Sequence, residues 1–139
     1  MPPLSRWFIK SSFVYLVATF VSGVLAVVDA AWDVIPGAVQ VTPVYYHLFM
    51  LGWVSQLIFG VGNWMFPVYS REAPRRSERL GWAVYGLLNG GLELLVLAEV
   101  VRAFAAEQAG HWLQAVGALL LWLAGTAFVA NTWGRIRGK

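Results

Sequence analysis

No cysteine occurs in the chain, which excludes disulfides, thiolate metal sites and cysteine nucleophiles. Charge is scarce too. Only 12% of the 139 residues are Asp, Glu, Lys or Arg, where a soluble domain carries about a quarter. So little charge cannot coat a water-exposed surface. Low-complexity tracts, internal repeats and internal domain boundaries are also missing, so residues 1–139 read as a single domain. The formal net charge is +3, but the basic residues form no single patch. They sit in short segments between apolar runs, which argues against nucleic acid as a partner and for a lipid bilayer.

What is present is apolar: 59% of the residues are hydrophobic. A spanning helix needs about 20 mainly apolar residues, and four stretches qualify: Ser11 to Trp32, Pro43 to Phe66, Leu80 to Phe104 and His111 to Trp133 (11-32, 43-66, 80-104, 111-133). Backbone amides in lipid must be satisfied within the segment, so each stretch is expected to be a helix. The predicted class is an all-α membrane protein, a four-helix up-down bundle. Pro43 suits a first helical turn, and Pro67 closes the second span. Trp32, Trp64, Trp82, Trp112 and Trp133 fall near span ends, as an interfacial aromatic belt requires. The start, Met1-Pro2-Pro3-Leu4-Ser5-Arg6, leads into the first span without a clear small-residue cleavage site, so that span is expected to be retained.

Arg6, Lys10, Arg71, Arg75, Arg76, Arg79, Arg135, Arg137 and Lys139 share one side of this arrangement. Arg102 stands alone among cations on the other, with Asp33 and Glu107. The positive-inside rule then places the N- and C-termini in the cytoplasm, and a prokaryotic cytoplasmic membrane is the expected location. The loop from Asp33 to Thr42, with Pro36-Gly37, is expected to turn outside.

Polar residues inside apolar spans carry the most information, because each is costly to place there. His47 lies about one turn into the second span, near the outer face. It shares a helical stripe with Met50, Leu51, Val54, Ile58, Val61 and Met65. Two readings fit: a ligand to a metal held in a flat apolar cofactor, or an interfacial histidine bonded to a carbonyl or water. His111, the second of the two histidines, begins the fourth span on the same side. Two histidines on helices of one bundle can ligate one haem iron axially; equally, His111 can sit at the water boundary. Asp29 reads as interfacial.

In the third span Gly86 and Gly90 form a small-xxx-small pattern that lets backbones approach. Asn89 and Glu93 share that face. Glu93, near mid-membrane, reads either as a proton-relay or cofactor-proximal carboxyl or as hydrogen-bond glue with Asn89, Gln56 or Asn63. Glu99 and Arg102 are spaced to pair, and Arg102 is also placed to meet a haem propionate. Gly52, Gln56, Phe59 and Asn63 form a second-span face opposite His47 that looks built for helix packing.

The run Tyr46-His47-Leu48-Phe49-Met50-Leu51-Gly52-Trp53-Val54, continued by Ile58-Phe59-Gly60 and Trp64-Met65-Phe66-Pro67, resembles the second transmembrane helix of the haem-copper oxidase catalytic subunit. The likeness is to its nitric oxide reductase-like and cbb3-like branches. It implies that His47 matches the axial ligand of a low-spin haem b, with Met50 beside it. The likeness covers about one span well; the others match only in general hydrophobic character. Tyr45 stands where some relatives have another histidine. The family also uses more histidines than this chain has, so oxygen or nitric oxide reduction by this chain alone is not expected. Its about twelve helices form three four-helix arcs around a pseudo-threefold axis, which by a fold-level analogy implies a homo-oligomer, a trimer.

The leading functional expectation is therefore a membrane haem b-binding protein for electron transfer or haem handling, with a redox partner. The alternative is a cofactor-free accessory or assembly subunit of a respiratory complex. A small channel or carrier using Glu93 ranks last, because no pore-lining polar stripe repeats.

Overall fold

A computed structural model describes residues 1–35, 41–72, 76–104 and 107–136. Pro36-Gly37, Arg75, Arg137 and Lys139 lie outside the described residues. All regular elements among the described residues are helical. Four helices are long and apolar enough to cross a membrane: α1 (Pro3–Trp32), α2 (Val41–Met65), α3 (Glu78–Phe104) and α4 (Glu107–Arg135). The chain is an integral membrane protein.

α1 starts at Pro3, earlier than the apolar run. Pro2 is the extended N-cap and Pro3 opens the first turn, where a missing N–H costs nothing. Arg6 and Lys10 face outward while Leu4, Ser5 and Phe8 are buried, so the extra turns are amphipathic where hydropathy alone breaks off. The helix ends at Asp33, whose φ of 50° is left-handed and whose N–H donates to the Asp29 carbonyl at 2.8 Å. The Asp29 carboxylate then accepts from the Ile35 N–H at 2.8 Å. α2 ends at Phe66, which is extended (ψ 146°) because it precedes Pro67.

α2 is not a uniform α-helix. Val41–His47 and Gln56–Met65 are α-helical, but Leu48–Ser55 is π-helical. Ser55 Oγ donates to the Met50 carbonyl, five residues back, at 2.8 Å. A π turn holds more residues than an α turn, so positions recurring every four residues stay on one side. Leu48, Gly52, Gln56 and Gly60 are accordingly all buried. The packing face read from Gly52, Gln56, Phe59 and Asn63 does face the interior, with Phe59 half-buried.

α1 meets that face with Ser5, Phe8, Ser12, Tyr15, Thr19 and Ser22, spaced alternately three and four apart as a helix–helix seam requires. A Cβ on Gly60 would lie 2.8 Å from Phe8 Cβ, and one on Gly52 would lie 2.8 Å from Tyr15 Cβ. These pairings make α1 and α2 antiparallel. The small hydroxyl residues leave room without orphaning their donors. Ser12 donates to the Ile9 carbonyl at 2.8 Å, Thr19 to Tyr15 at 2.8 Å and Ser22 to Thr19 at 2.9 Å.

α3 and α4 form the closest helix pair, crossing at Gly91 and Gly117. A Cβ on either glycine would lie 2.9 Å from the other's carbonyl oxygen. Gly86 and Gly90 make no such crossing among the described residues: neither has a neighbouring atom within 4 Å of a Cβ position. Consecutive helix positions point about 100° apart, so the adjacent glycine, Gly91, faces α4 while Gly90 does not. The apolar core lies in the half of the bundle that holds Met1 and Arg135. It joins Leu4, Phe8, Val84, Leu88 and Ala124, and the Phe59 and Phe128 rings stack beside it at 3.9 Å. Outside, Val14, Val17, Phe20, Val21 and Val24 are exposed, a surface suited to acyl chains and not to water.

Gly117→Ala is expected to lower the thermal midpoint of the detergent-solubilised protein by an overpacking cost of about 1–3 kcal/mol. Gly125→Ala, with nothing within 4 Å of its Cβ position, leaves it unchanged. Equal midpoints for the two variants in a melting assay would refute the Gly91–Gly117 crossing.

Candidate functional site

Polar groups gather at three levels of the bundle. The middle level is a node on α1, α2 and α3. Asn89 Oδ1 accepts from both Tyr15 Oη and Gln56 Nε2 at 3.0 Å, and Asn89 Nδ2 donates to the Tyr85 carbonyl at 2.8 Å. Tyr85 Oη in turn lies 2.7 Å from Ser11 Oγ. Gln56 is fully buried, and its Oε1 has no hydrogen-bond partner. Asn89 and Gln56, expected as partners of Glu93, bond each other instead. Glu93 does not join them. It is exposed on the outer surface of α3, near enough to Tyr15 to act on it electrostatically.

A second cluster closes the end that holds the first residues of α1. Arg135 is buried and its guanidinium spans the C-terminus of α2. It donates to the carbonyls of Phe66 at 2.7 Å, Pro67 at 2.9 Å and Asn63 at 3.1 Å. Asn63 is buried beneath it and donates to Ser5 Oγ at 3.1 Å. The Asn63 carbonyl is among the last of the helix, which lack partners within it, and those of Phe66 and Pro67 lie just past its end. Asn131 brackets the start of α3 in the same way, accepting from the Ser77 N–H at 3.3 Å and donating to the Ser77 carbonyl at 3.2 Å. Ser77 caps the helix through the Leu80 N–H at 3.2 Å. Arg135 and Asn63 are therefore structural. The sequence flagged Arg135 only as a topogenic cation; its place one residue past the fourth span's closing Trp133-Gly134 was the available hint.

The opposite end holds the histidines. His47 ends the first α-helical part of α2, at the edge of the π segment. It is half-buried, with no hydrogen bond or ion pair among the described residues. Met50 is exposed one turn on, and Trp53 Nε1 is buried without an acceptor. His111 is exposed on α4, its Nε2 3.7 Å from Glu107 Oε1. The first turns of α2 pack on α1 and α3, so the two imidazoles have different surroundings. Among the described residues no group of three or more His, Asp or Glu side chains gathers to hold a metal ion.

Arg102 and Glu99 do pair, at 3.3 Å. Gly110 of α4 makes the room, since a Cβ there would overlap the Arg102 stem at 2.0 Å. Glu99 Oε2 and Arg102 Nε are buried and unpartnered, so the pair keeps capacity for a further donor and acceptor. Chemically, this end offers an uncommitted imidazole and an incompletely satisfied ion pair. Of the groups a haem needs, His47 is an imidazole without a partner among the described residues, while Arg102 is held by Glu99. Comparison with protein-family models, curated proteins and solved structures finds no match to this chain.

Gln56→Leu and Asn89→Leu each remove one side of the middle node. Each is expected to cost about 1–3 kcal/mol by stranding its partners, with the double variant costing clearly less than the sum. Strict additivity in thermal melts would dismiss the node as a coupled unit.

Proposed function

We propose that this chain is a membrane haem b-binding protein resembling part of the haem-copper oxidase catalytic subunit, serving electron transfer or haem handling. His47 carries the reading. A half-buried imidazole with no partner among the described residues, at the edge of a π-helical segment, is in a state suited to ligate iron. π segments recur at functional sites. The surrounding Tyr46-His47-Leu48 to Gly52-Trp53 pattern supports it. His47 would hold the iron, with Met50 and Arg102 near it and His111 as the candidate second ligand. Haem b bound there supplies one-electron chemistry. In this reading the four helices form an up-down bundle with both termini cytoplasmic, since Arg6, Lys10, Arg71, Arg76, Arg79 and Arg135 belong to one end.

Protein purified after haem-supplemented expression is expected to show a Soret band and a reduced-minus-oxidised difference spectrum, both lost in His47→Ala. Absence of the band, or full haem content in His47→Ala, overturns the assignment.

The oligomer belongs to the same proposal. Glu93 is exposed midway along α3, beside Gly86 and Gly90 with open space over them. An acidic group facing hydrocarbon at the bilayer centre costs about 3 kcal/mol, which favours a protein cover. A further copy of the chain, in a homotrimer, is the cover proposed. The second reading, a cofactor-free accessory subunit, assigns the same face to a larger respiratory complex. Native mass spectrometry is expected to give a trimer that Gly90→Leu disperses. A monomer mass for the parent protein removes the homo-oligomer, and co-purification of a haem-free chain with a larger respiratory complex favours the second reading.

A further inference from the structure

The half of α4 nearest Arg135 carries a feature that neither the haem reading nor the oligomer uses. A shallow groove of about 700 Å³ runs along the helix, walled by Leu121, Trp122, Val129 and Trp133 and floored by Gly125. No atom lies within 4 Å of a Cβ position on Gly125, so the floor is open. From Leu121 to Trp133 the groove is about 18 Å long at the helical rise. That is close to half of the roughly 30 Å hydrocarbon core: one leaflet.

The groove has a charged head. Arg76 lines its end, donates from Nη1 to the Ala130 carbonyl and lies over the Tyr69 ring at 5.9 Å. Its backbone has φ 63°, a left-handed conformation unfavourable for a side-chain-bearing residue. A strained residue held in place points to a role for the group it positions. The guanidinium is exposed, and only part of its five-donor fork is used by Ala130. Trp133 and Tyr69, both exposed, flank it at the depth where aromatic rings meet headgroups.

We infer that this groove is a binding site for an anionic glycerophospholipid, with one acyl chain along Leu121–Val129 over Gly125 and the phosphate on Arg76. The apolar wall suits any acyl chain. The arginine selects the headgroup, because a zwitterionic lipid carries its own cation to compete for the phosphate and an anionic one does not. The fork geometry of guanidinium matches phosphate oxygens in pairs, and basic pockets at this depth recognise acidic lipids.

The test is native mass spectrometry of the full chain released from detergent with phosphatidylglycerol or phosphatidylcholine of identical acyl chains. The parent protein is expected to retain phosphatidylglycerol at about fivefold lower concentration than phosphatidylcholine. Arg76→Gln should bring the two lipids level. Gly125→Leu fills the floor without a clash and should reduce retention of both, while Val17→Leu, on the exposed face of α1, changes neither. Equal retention of both lipids by the parent overturns the site. So does an undiminished preference in Arg76→Gln, or undiminished retention in Gly125→Leu.

Discussion

In hydrocarbon a polar group that leaves its own helix has no water to bond, and must find a partner on a neighbouring helix or none at all. The interior of this bundle is arranged around that constraint. Asn89 gathers the Tyr15 hydroxyl and the Gln56 amide onto one oxygen, which ties α1, α2 and α3 at mid-height. The serines and threonine of α1 solve the same problem locally, by bonding back to carbonyls three or four residues earlier. They are then free to act as small residues, and that lets Gly52 and Gly60 of α2 come close. Close approach and polar satisfaction are thus one design, since a larger apolar residue at Ser12 or Thr19 would keep α2 too far away for Gln56 to reach Asn89.

The same constraint explains the ends. Arg135 gathers three carbonyls at the close of α2, and Asn131 holds both backbone groups of Ser77 at the start of α3. Each reaches across from α4 to a helix boundary, where the backbone leaves groups unpaired. The core of Phe8, Val84, Leu88 and Ala124 sits between these clasps and the mid-height node. Among the described residues the other half has no comparable clasp. Its buried ion pair, Glu99–Arg102, keeps unpartnered atoms, and Trp53 Nε1 is unpartnered in the same way.

The four spans were legible in the sequence because length and hydropathy follow directly from bilayer thickness. Gln56, Asn63 and Asn89 were legible as well, since an amide in an apolar span has few uses besides bonding another helix. That the crossing within the chain falls at Gly91 and not at Gly86 or Gly90 has a clear cause. A glycine records that a Cβ is unwelcome, not which neighbour makes it so, and Gly90 and Gly91 are adjacent in sequence but point to different faces. The π-helical stretch Leu48–Ser55 left no signal, because apolar residues fill either kind of turn. Arg135 was hidden by its neighbours in sequence: grouped with the other terminal cations it read as topology, and its burial is what shows the structural role.

This asymmetry bears on where chemistry can occur. A group already holding a hydrogen-bond partner must give it up before it binds anything else, and in hydrocarbon that loss is not made good by water. Asn89, Asn63 and Arg135 are committed in this sense and serve the fold. His47 is not: it stands between an α-helical and a π-helical segment, in the half of the bundle where satisfaction is incomplete. The π segment adds to this, because wider turns move the His47–Met50 side of α2 away from the position an unbroken α-helix would give it relative to Gln56 and Asn63. The packed face of α2 is held by the Gln56–Asn89 and Asn63–Ser5 hydrogen bonds to α3 and α1, whereas the turns before His47 are held by packing, with Tyr45 against Gly23.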